Sequence, residues 1–361
     1  MNKFLIAVVS CLVLVVFCLV GGYFFIEKEI KKPLDISGKE KVFEVKEGQG
    51  AKEIGKNLEK QGLIKNDFYF LFYIWKTNRG RNLKAGRYCL SSSQSIVEMV
   101  EKMMKGPIRE EIKLTFPEGW RISEIEKRLK SCGLINSDEI SKLKVKQFKK
   151  RYDFLKDAPD KATLEGYLFP DTYFFRCPAP EVSCKNGKGE IIKCQNGDPK
   201  EIAEEFLDNF DKKLTPELRG EIKKQGKSIF EIVTMASILE KEVQTLEDKR
   251  IVSGIFWKRI KENRPLESCA TIAFILGKSN WSFDQMREEI AKAREIDNPY
   301  NTYKYPGLPP GPISNPGIDS IKAAIFPKES EYNYFLTDKT GKTHFAKTLE
   351  EHNKNKLYYL K

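Results

Sequence analysis

Ile229-Phe230-Glu231-Ile232-Val233-Thr234-Met235-Ala236-Ser237-Ile238-Leu239-Glu240-Lys241-Glu242-Val243 is the stretch on which the reading of this chain turns. Ile229, Ile232, Ala236, Leu239 and Val243 recur at three- and four-residue steps, the spacing of a buried helix. Two carboxylates close it. At 100° per residue Glu240 and Glu242 point about 160° apart, so they cannot share one role on one face. Glu240 falls near the centre of the apolar stripe and Glu242 at its margin, beside Met235 and Leu246. An acid at such a margin is half desolvated, and desolvation raises a carboxyl pKa toward the range useful for donating a proton. The plain alternative makes both ordinary helix-end charges, with Glu240 paired to a nearby Lys or Arg.

Working outward, helices dominate from Pro199 to about Arg264, and Pro and Gly crowd residues 299–317. There Asn298-Pro299-Tyr300-Asn301-Thr302-Tyr303 and Gly307-Leu308-Pro309-Pro310-Gly311-Pro312-Ile313 trace a rigid, irregular path. Its tyrosines and Asn301 suit stacking on sugar rings and bonding to their substituents. A helix over 318–325, a strand over 332–336 and a last helix from Thr348 follow. Upstream, a strand over 111–116 runs through Pro117-Glu118-Gly119-Trp120 into a helix over 123–131, where Ser123 and Glu126 have capping-box spacing.

Residues 42–106 read as a compact α/β module: strand 42–45, turn 46–50, helix 51–61 with Gly62 at its C-terminal stop, helix 67–75, strand 83–90 and helix 95–104 capped by Ser93 or Ser95. Cys177, Cys184 and Cys194 cluster in a Gly-, Asn- and Lys-rich insertion, residues 175–198. One disulfide closing a surface hairpin there is expected in an oxidising compartment, with the pair left open. Cys89, Cys132 and Cys269 are scattered and read as small buried hydrophobes.

The first residues place the chain. Phe4 to Ile26 carry no charge, and 23 residues make roughly 34 Å of helix, enough to cross a hydrocarbon core of about 30 Å. A cleaved signal peptide would have a shorter apolar run and a small-residue exit site. Here the run ends Gly21-Gly22-Tyr23-Phe24-Phe25-Ile26. Val9-Ser10-Cys11 resembles a lipoprotein cleavage site, with too few apolar residues before it. The expected order is a cytoplasmic tail (1–3), a transmembrane helix (4–26), a linker (27–41), the small module and a large C-terminal domain on the far side of the membrane.

Composition limits the chemistry. The 361 residues are 40% hydrophobic and 32% charged, enough apolar material for packed cores. Lys and Arg exceed Asp and Glu by 63 to 51, a net +12 that favours anionic surroundings. The two histidines, His344 and His352, exclude a His-cluster metal site. Acid–base work falls to carboxylates.

Several stretches together resemble one family. Phe116-Pro117-Glu118-Gly119-Trp120, Leu164-Glu165-Gly166-Tyr167-Leu168-Phe169-Pro170-Asp171-Thr172-Tyr173, Ala236 to Glu242, Tyr300-Asn301-Thr302-Tyr303 with Gly307 to Ile313, His344-Phe345 and Glu351-His352-Asn353 are similar, in order and spacing, to the YceG-like endolytic murein transglycosylases. The resemblance implies an α+β protein with a single N-terminal transmembrane helix, a LysM-like subdomain over 42–106 and a catalytic domain over 107–361. It implies a peptidoglycan lytic transglycosylase at the outer side of the bacterial cytoplasmic membrane, acting on glycan strands, associated with peptidoglycan synthases, and using no metal, cofactor or nucleic acid. The catalytic glutamate carries over to Glu242, with Glu240 in reserve, and Asn301, Tyr303 and Glu165 are the expected substrate-binding residues. Leu266-Glu267-Ser268-Cys269-Ala270-Thr271 departs from the family's Leu-Gln-Ser-Asp-Pro-Thr, and Val243 stands where Thr or Ser is usual. Two rivals stay open: a muramidase that uses water, and a non-catalytic, membrane-tethered peptidoglycan-binding scaffold motivated by the altered 266–271 segment and the LysM-like part.

Overall fold

The structure, a computed structural model, describes residues 3–108, 111–177, 181–185, 188–194, 197–277, 289 and 292–360. Twelve α-helices and four two-stranded sheets form among them, a mixed α+β fold. The chain divides into two compact units. One comprises Met1–Glu111 with Ala179–Cys194, and the other Ile112–Pro178 with Gln195–Lys361.

The first unit begins with helix α1 (Lys3–Lys31), which is long and apolar enough to cross a membrane and exposes its side chains from Val8 to Phe25. The helix does not stop where the charge-free run ends. It continues to Lys31, so the first part of the expected linker is helical, and Ile30 is 1% exposed in the core of the module. Strands β1 (Glu40–Val45) and β2 (Gly86–Ser91) pair antiparallel, and α2 (Ala51–Lys60), α3 (Asp67–Thr77) and α4 (Ile96–Lys105) cover them. Phe43, Ile54, Leu58, Phe70, Met99 and Val100 form the core. Of the two candidate caps, Ser95 starts α4: its Oγ accepts from Glu98 N, and Glu98 Oε2 accepts from Ser95 N at 2.8 Å.

Residues 179–194 of the cysteine insertion belong to this first unit. Strands β5 (Glu181–Lys185) and β6 (Lys188–Lys193) form an antiparallel hairpin whose Cys184 is disulfide-bonded to Cys89 of β2. The bond therefore pins the hairpin to the module, and Cys89 is half of that staple, not the isolated hydrophobe expected. Cys177 and Cys194 are also disulfide-bonded.

The second unit is organised by α8 (Ile229–Glu242). Ser228 and Glu231 form its capping box, with Glu231 Oε2 accepting from Ser228 N at 2.8 Å. Ile229 and every residue from Ile232 to Leu239 are buried, so the expected stripe is a helix enclosed on nearly all sides. Helices α7 (Pro216–Lys224), α9 (Leu246–Lys261), α10 (Cys269–Ile275) and α11 (Ile318–Ile325) pack around it. The pair β3 (Glu111–Thr115) and β4 (Thr172–Arg176), with α5 (Ile122–Ser131) and α6 (Pro199–Lys213), adds an aromatic cluster in which Phe206 lies 4.4 Å from Tyr173 and 5.0 Å from Phe116 between ring centroids. Helix α5 starts one residue earlier than expected. Glu124 Oε2 accepts from Arg121 N, while the buried Glu126 accepts from Ser141 N instead of capping with Ser123. Hairpin β7 (Tyr334–Thr337) and β8 (Thr343–Ala346) with α12 (Leu349–Tyr359) completes the unit.

Closing a long loop chiefly restrains the unfolded chain, so Cys89→Ser with Cys184→Ser should lower the stability of the first unit by about 2–4 kcal/mol. Denaturant titration measures this, and reductant should cost the wild type at least as much.

Candidate active site

Three loops meet against α8, and Asn315 joins them. Its Oδ1 accepts from Gly166 N and Leu168 N, each at 2.9 Å, and its Nδ2 donates to Trp120 O and Glu165 Oε1. Its backbone carbonyl accepts from Gly119 N. The next loop residues hold α8 directly: Ile313 N donates to Ser237 Oγ at 3.0 Å and Ser314 Oγ to Ser237 O. Gly166 has φ +91°, and a Cβ there would come within 2.5 Å of Pro312 and 2.8 Å of Val233, so only glycine fits. The sequence stretches around residues 116–120, 164–173, 236–242 and 307–315 thus form one connected structure.

The two acids ending α8 meet opposite environments. Glu240 is enclosed, and both its oxygens are engaged. Oε1 accepts from Lys249 Nζ at 3.2 Å, and Oε2 accepts from Gly317 N at 2.9 Å and Ser320 Oγ at 2.7 Å. The two side chains of this ion pair are 4% and 8% exposed. Glu240 is therefore a fixed, paired charge locking α8 to α9 and α11, as the plain alternative expected.

Glu242 is the last residue of α8 and partly open. Its Oε1 accepts from Ser268 Oγ and from Ala270 N at 3.3 Å. Oε2 has no hydrogen bond among the described residues. Burial pushes the Glu242 pKa up, opposed by the Ser268 hydroxyl, the Ala270 N–H and the Arg259 charge. Ala270 occupies the place of the proline in the resembling pattern. Proline has no N–H, so this departure adds a donor to Glu242. Thr337 Oγ donates to the Glu242 carbonyl at 3.3 Å, steadying the helix end.

The segment carrying Ser268 is held from two sides. Arg259, 6% exposed on α9, donates to Leu266 O at 2.7 Å and to Glu267 Oε2 at 3.3 Å. Glu267 N donates to Thr302 O, and Ser268 N to Thr302 Oγ, which also bonds Thr271 Oγ at 2.9 Å. Glu267 has φ +54°, the left-handed region that a non-glycine residue enters at a cost of about 1–2 kcal/mol. These partners hold it there.

Tyr303 joins Glu242 through this segment. Its hydroxyl lies 3.1 Å from Cys269 Sγ, and Arg294 stacks 4.4 Å from its ring centroid. Burial, then the Glu242 charge, pushes the Cys269 thiol to about 11. Asn301 has a different place. It is fully buried, with Nδ2 donating to Arg294 O and Ile296 O and Oδ1 accepting from Tyr303 N, so its amide shapes the loop that carries Tyr303. Glu165 lies at the start of α5, accepting from Ile122 N at 3.2 Å and from Asn315 Nδ2. Burial raises its pKa to about 8, against the lowering effects of the Ile122 N–H and Arg121. The two histidines sit in the C-terminal hairpin and helix, His344 on Asp338 and Tyr359, and His352 stacked on Tyr334.

Sequence reasoning missed Ser268, Arg259, Thr302 and Asn315. Each is an ordinary polar residue in sequence, and only Ser268, kept within the altered 266–271 segment, carried a usable signal.

The YceG-like family matches residues 43–357. The chain belongs to this family. Proteins named endolytic murein transglycosylase are similar to it. The Streptococcus pneumoniae serotype 2 (strain D39) protein is 31% identical over 376 residues, covering 96% of this chain and 64% of its own length. The Bacillus subtilis (strain 168) protein is 30% identical over 355 residues, covering 95% and 91%. This YceG-like chain therefore spans less than two thirds of its streptococcal relative. A crystal structure of a yceG-like protein from Listeria monocytogenes matches with a TM-score of 0.55 and 33% identity, over 88% of this chain and 99% of that one.

Two stability tests follow from the acids. Glu240→Gln strands the buried Lys249 charge and should cost about 3–5 kcal/mol, much of it recovered in Glu240→Gln with Lys249→Met, as measured by denaturant titration. Glu165 binds its proton more tightly in the folded state (about 8 against an ordinary 4.5), so its contribution to stability falls as pH rises from about 4.5 through about 8. Glu165→Gln should flatten the melting temperature's decline across that window.

Proposed function

We propose that this chain is a membrane-anchored endolytic murein transglycosylase whose single catalytic carboxyl is Glu242. It would cleave the β-1,4 bond from N-acetylmuramic acid to N-acetylglucosamine within glycan strands. Glu242 protonates the glycosidic oxygen as positive charge develops at the sugar's anomeric carbon. The carboxylate then takes the proton of the muramic acid's own 6-hydroxyl, which attacks that carbon and closes a 1,6-anhydro ring. Ordinary glycosidases need a second carboxylate for water or a covalent intermediate. An internal nucleophile held in line removes that need.

The observation that carries this reading is the asymmetry of Glu242. One oxygen rests on neutral donors, the other has no hydrogen bond among the described residues, and burial raises the pKa. A general acid needs that combination, and Glu240, with both oxygens engaged and a lysine beside it, lacks it. The name borne by the similar proteins agrees. Tyr303 is the proposed sugar contact. Asn301 acts through Tyr303's loop, and Glu165 supports the loops around α8.

The N-terminal α1 would be an uncleaved membrane anchor, with the second unit on the extracytoplasmic side, and the β1–α2–α3–β2–α4 module would be LysM-like. Termination of nascent strands beside a synthase is the role this placement suits. The scaffold rival is motivated by the altered 266–271 segment, and the water-using muramidase differs only in its nucleophile.

Purified full-length chain should release muropeptides from sacculi with ends one water lighter than hydrolysed reducing ends. Loss of a general acid should cost Glu242→Gln about 10²–10⁴-fold in release rate. Undiminished release by Glu242→Gln would remove the assignment, and no release by wild type would favour the scaffold. The alkaline limb of the pH–rate profile should lie above the ordinary glutamate range. Ser268→Ala, which removes a donor to the charged form, should shift that limb to higher pH.

A further inference from the structure

Helix α3 is apolar on two faces. Phe70 and Ile74 point into the core of the first unit. At 100° per residue, Phe68, Phe72 and Trp75 fall within an arc of about 60° on the opposite side. Trp75 is 78% exposed and Phe68 51% exposed. A helix that is hydrophobic all round belongs either inside protein or against lipid, and this one leaves Phe68 and Trp75 exposed.

Helix α1 supplies the second observation. The half-buried Phe72, which also packs against the core, links the two exposed rings into a continuous row, 6.3 Å from Phe68 and 6.0 Å from Trp75 between centroids. Phe72 also lies 6.3 Å from Tyr23 of α1, whose neighbour Phe24 is 66% exposed. Lys76, the residue after Trp75, bonds to the Tyr23 hydroxyl and to Glu27. Tyr23 stands in the last turn of the charge-free run, and Glu27 is the first charge beyond it. In a membrane-crossing helix that level is the edge of the hydrocarbon, where Trp and Tyr rings concentrate and lysines reach outward to the headgroups.

We infer that the Phe68–Phe72–Trp75 face of α3 is a lipid-contact surface, seated in the headgroup–acyl boundary beside α1. The inference rests on the proposed anchor. Lipid is the occupant because the patch is continuous with the apolar surface of α1 and flanked by a lysine at the level where charge resumes. A glycan would call for several hydrogen-bonding groups among the rings, and the row offers only the Trp75 indole N–H. With α3 seated, the first unit is held to the bilayer by a second, non-covalent contact, which restricts its swing about α1.

The test uses the full-length chain in nanodiscs of phosphatidylethanolamine and phosphatidylglycerol, with or without acyl chains brominated close to the headgroup. Subtracting the emission of Trp75→Phe from that of wild type isolates Trp75, and Phe17→Trp in the Trp75→Phe background reports on α1. Trp75 should lose most of its emission to brominated lipid and be shielded from aqueous iodide. If Phe17→Trp is quenched by brominated lipid while Trp75 remains open to iodide, the anchor stands and this inference falls. If neither is quenched by lipid, the anchor falls and takes the inference with it. Shielding of Trp75 from both quenchers would mean that protein, such as a second copy, covers the face, and would equally overturn it.

Discussion

Helix α8 is buried on nearly every side, so any charge at its end must be neutralised, paired or left open to a partner. Its two acids take different solutions. Glu240 receives a lysine, a backbone N–H and a hydroxyl, and becomes part of the packing of α8, α9 and α11. Among the described residues, Glu242 receives neutral donors on one oxygen only. A buried carboxyl without a full countercharge holds its proton more tightly, which is what separates a structural acid from one able to exchange a proton at the reacting bond. Electrostatics, not proximity in sequence, distinguishes the two acids.

That assignment depends on segments distant in the chain. Ser268 is placed by Arg259 below it and Thr302 beside it, and the loop bearing Thr302 and Tyr303 is shaped by the amide of Asn301. Asn315 ties the loops containing Trp120 and Glu165 to the segment bonded to Ser237. Small polar residues therefore do most of the positioning. In the first unit, by contrast, one apolar core and the Cys89–Cys184 bond hold the module, the hairpin and the end of α1 together.

What was legible in the sequence follows from this physics. Periodicity revealed α8 and α2, because a buried face leaves a repeating apolar signal. The capping pair of α5 was misread by two residues, since Ser123 and Glu126 have the right spacing while Glu124 does the capping and Glu126 faces Ser141 N. Cys89 gave no sign of its partner 95 residues away, because a disulfide leaves no local pattern. Asn301 read as a sugar contact because an amide on a Pro-rich loop looks exposed, and its carbonyl partners can be seen only once the loop is folded. Glu240 and Glu242 could be separated by angle, whereas Lys249 and Ser268, which distinguish them chemically, come from other elements.

The claim on which the account stands is that one carboxyl, Glu242, suffices because the sugar supplies its own nucleophile. Digestion of purified sacculi in heavy-oxygen water tests it most directly. Products formed through the internal 6-hydroxyl carry no solvent oxygen at the new muramic acid end. One heavy oxygen at each new end would mean that water attacks, and would contradict the single-carboxyl mechanism.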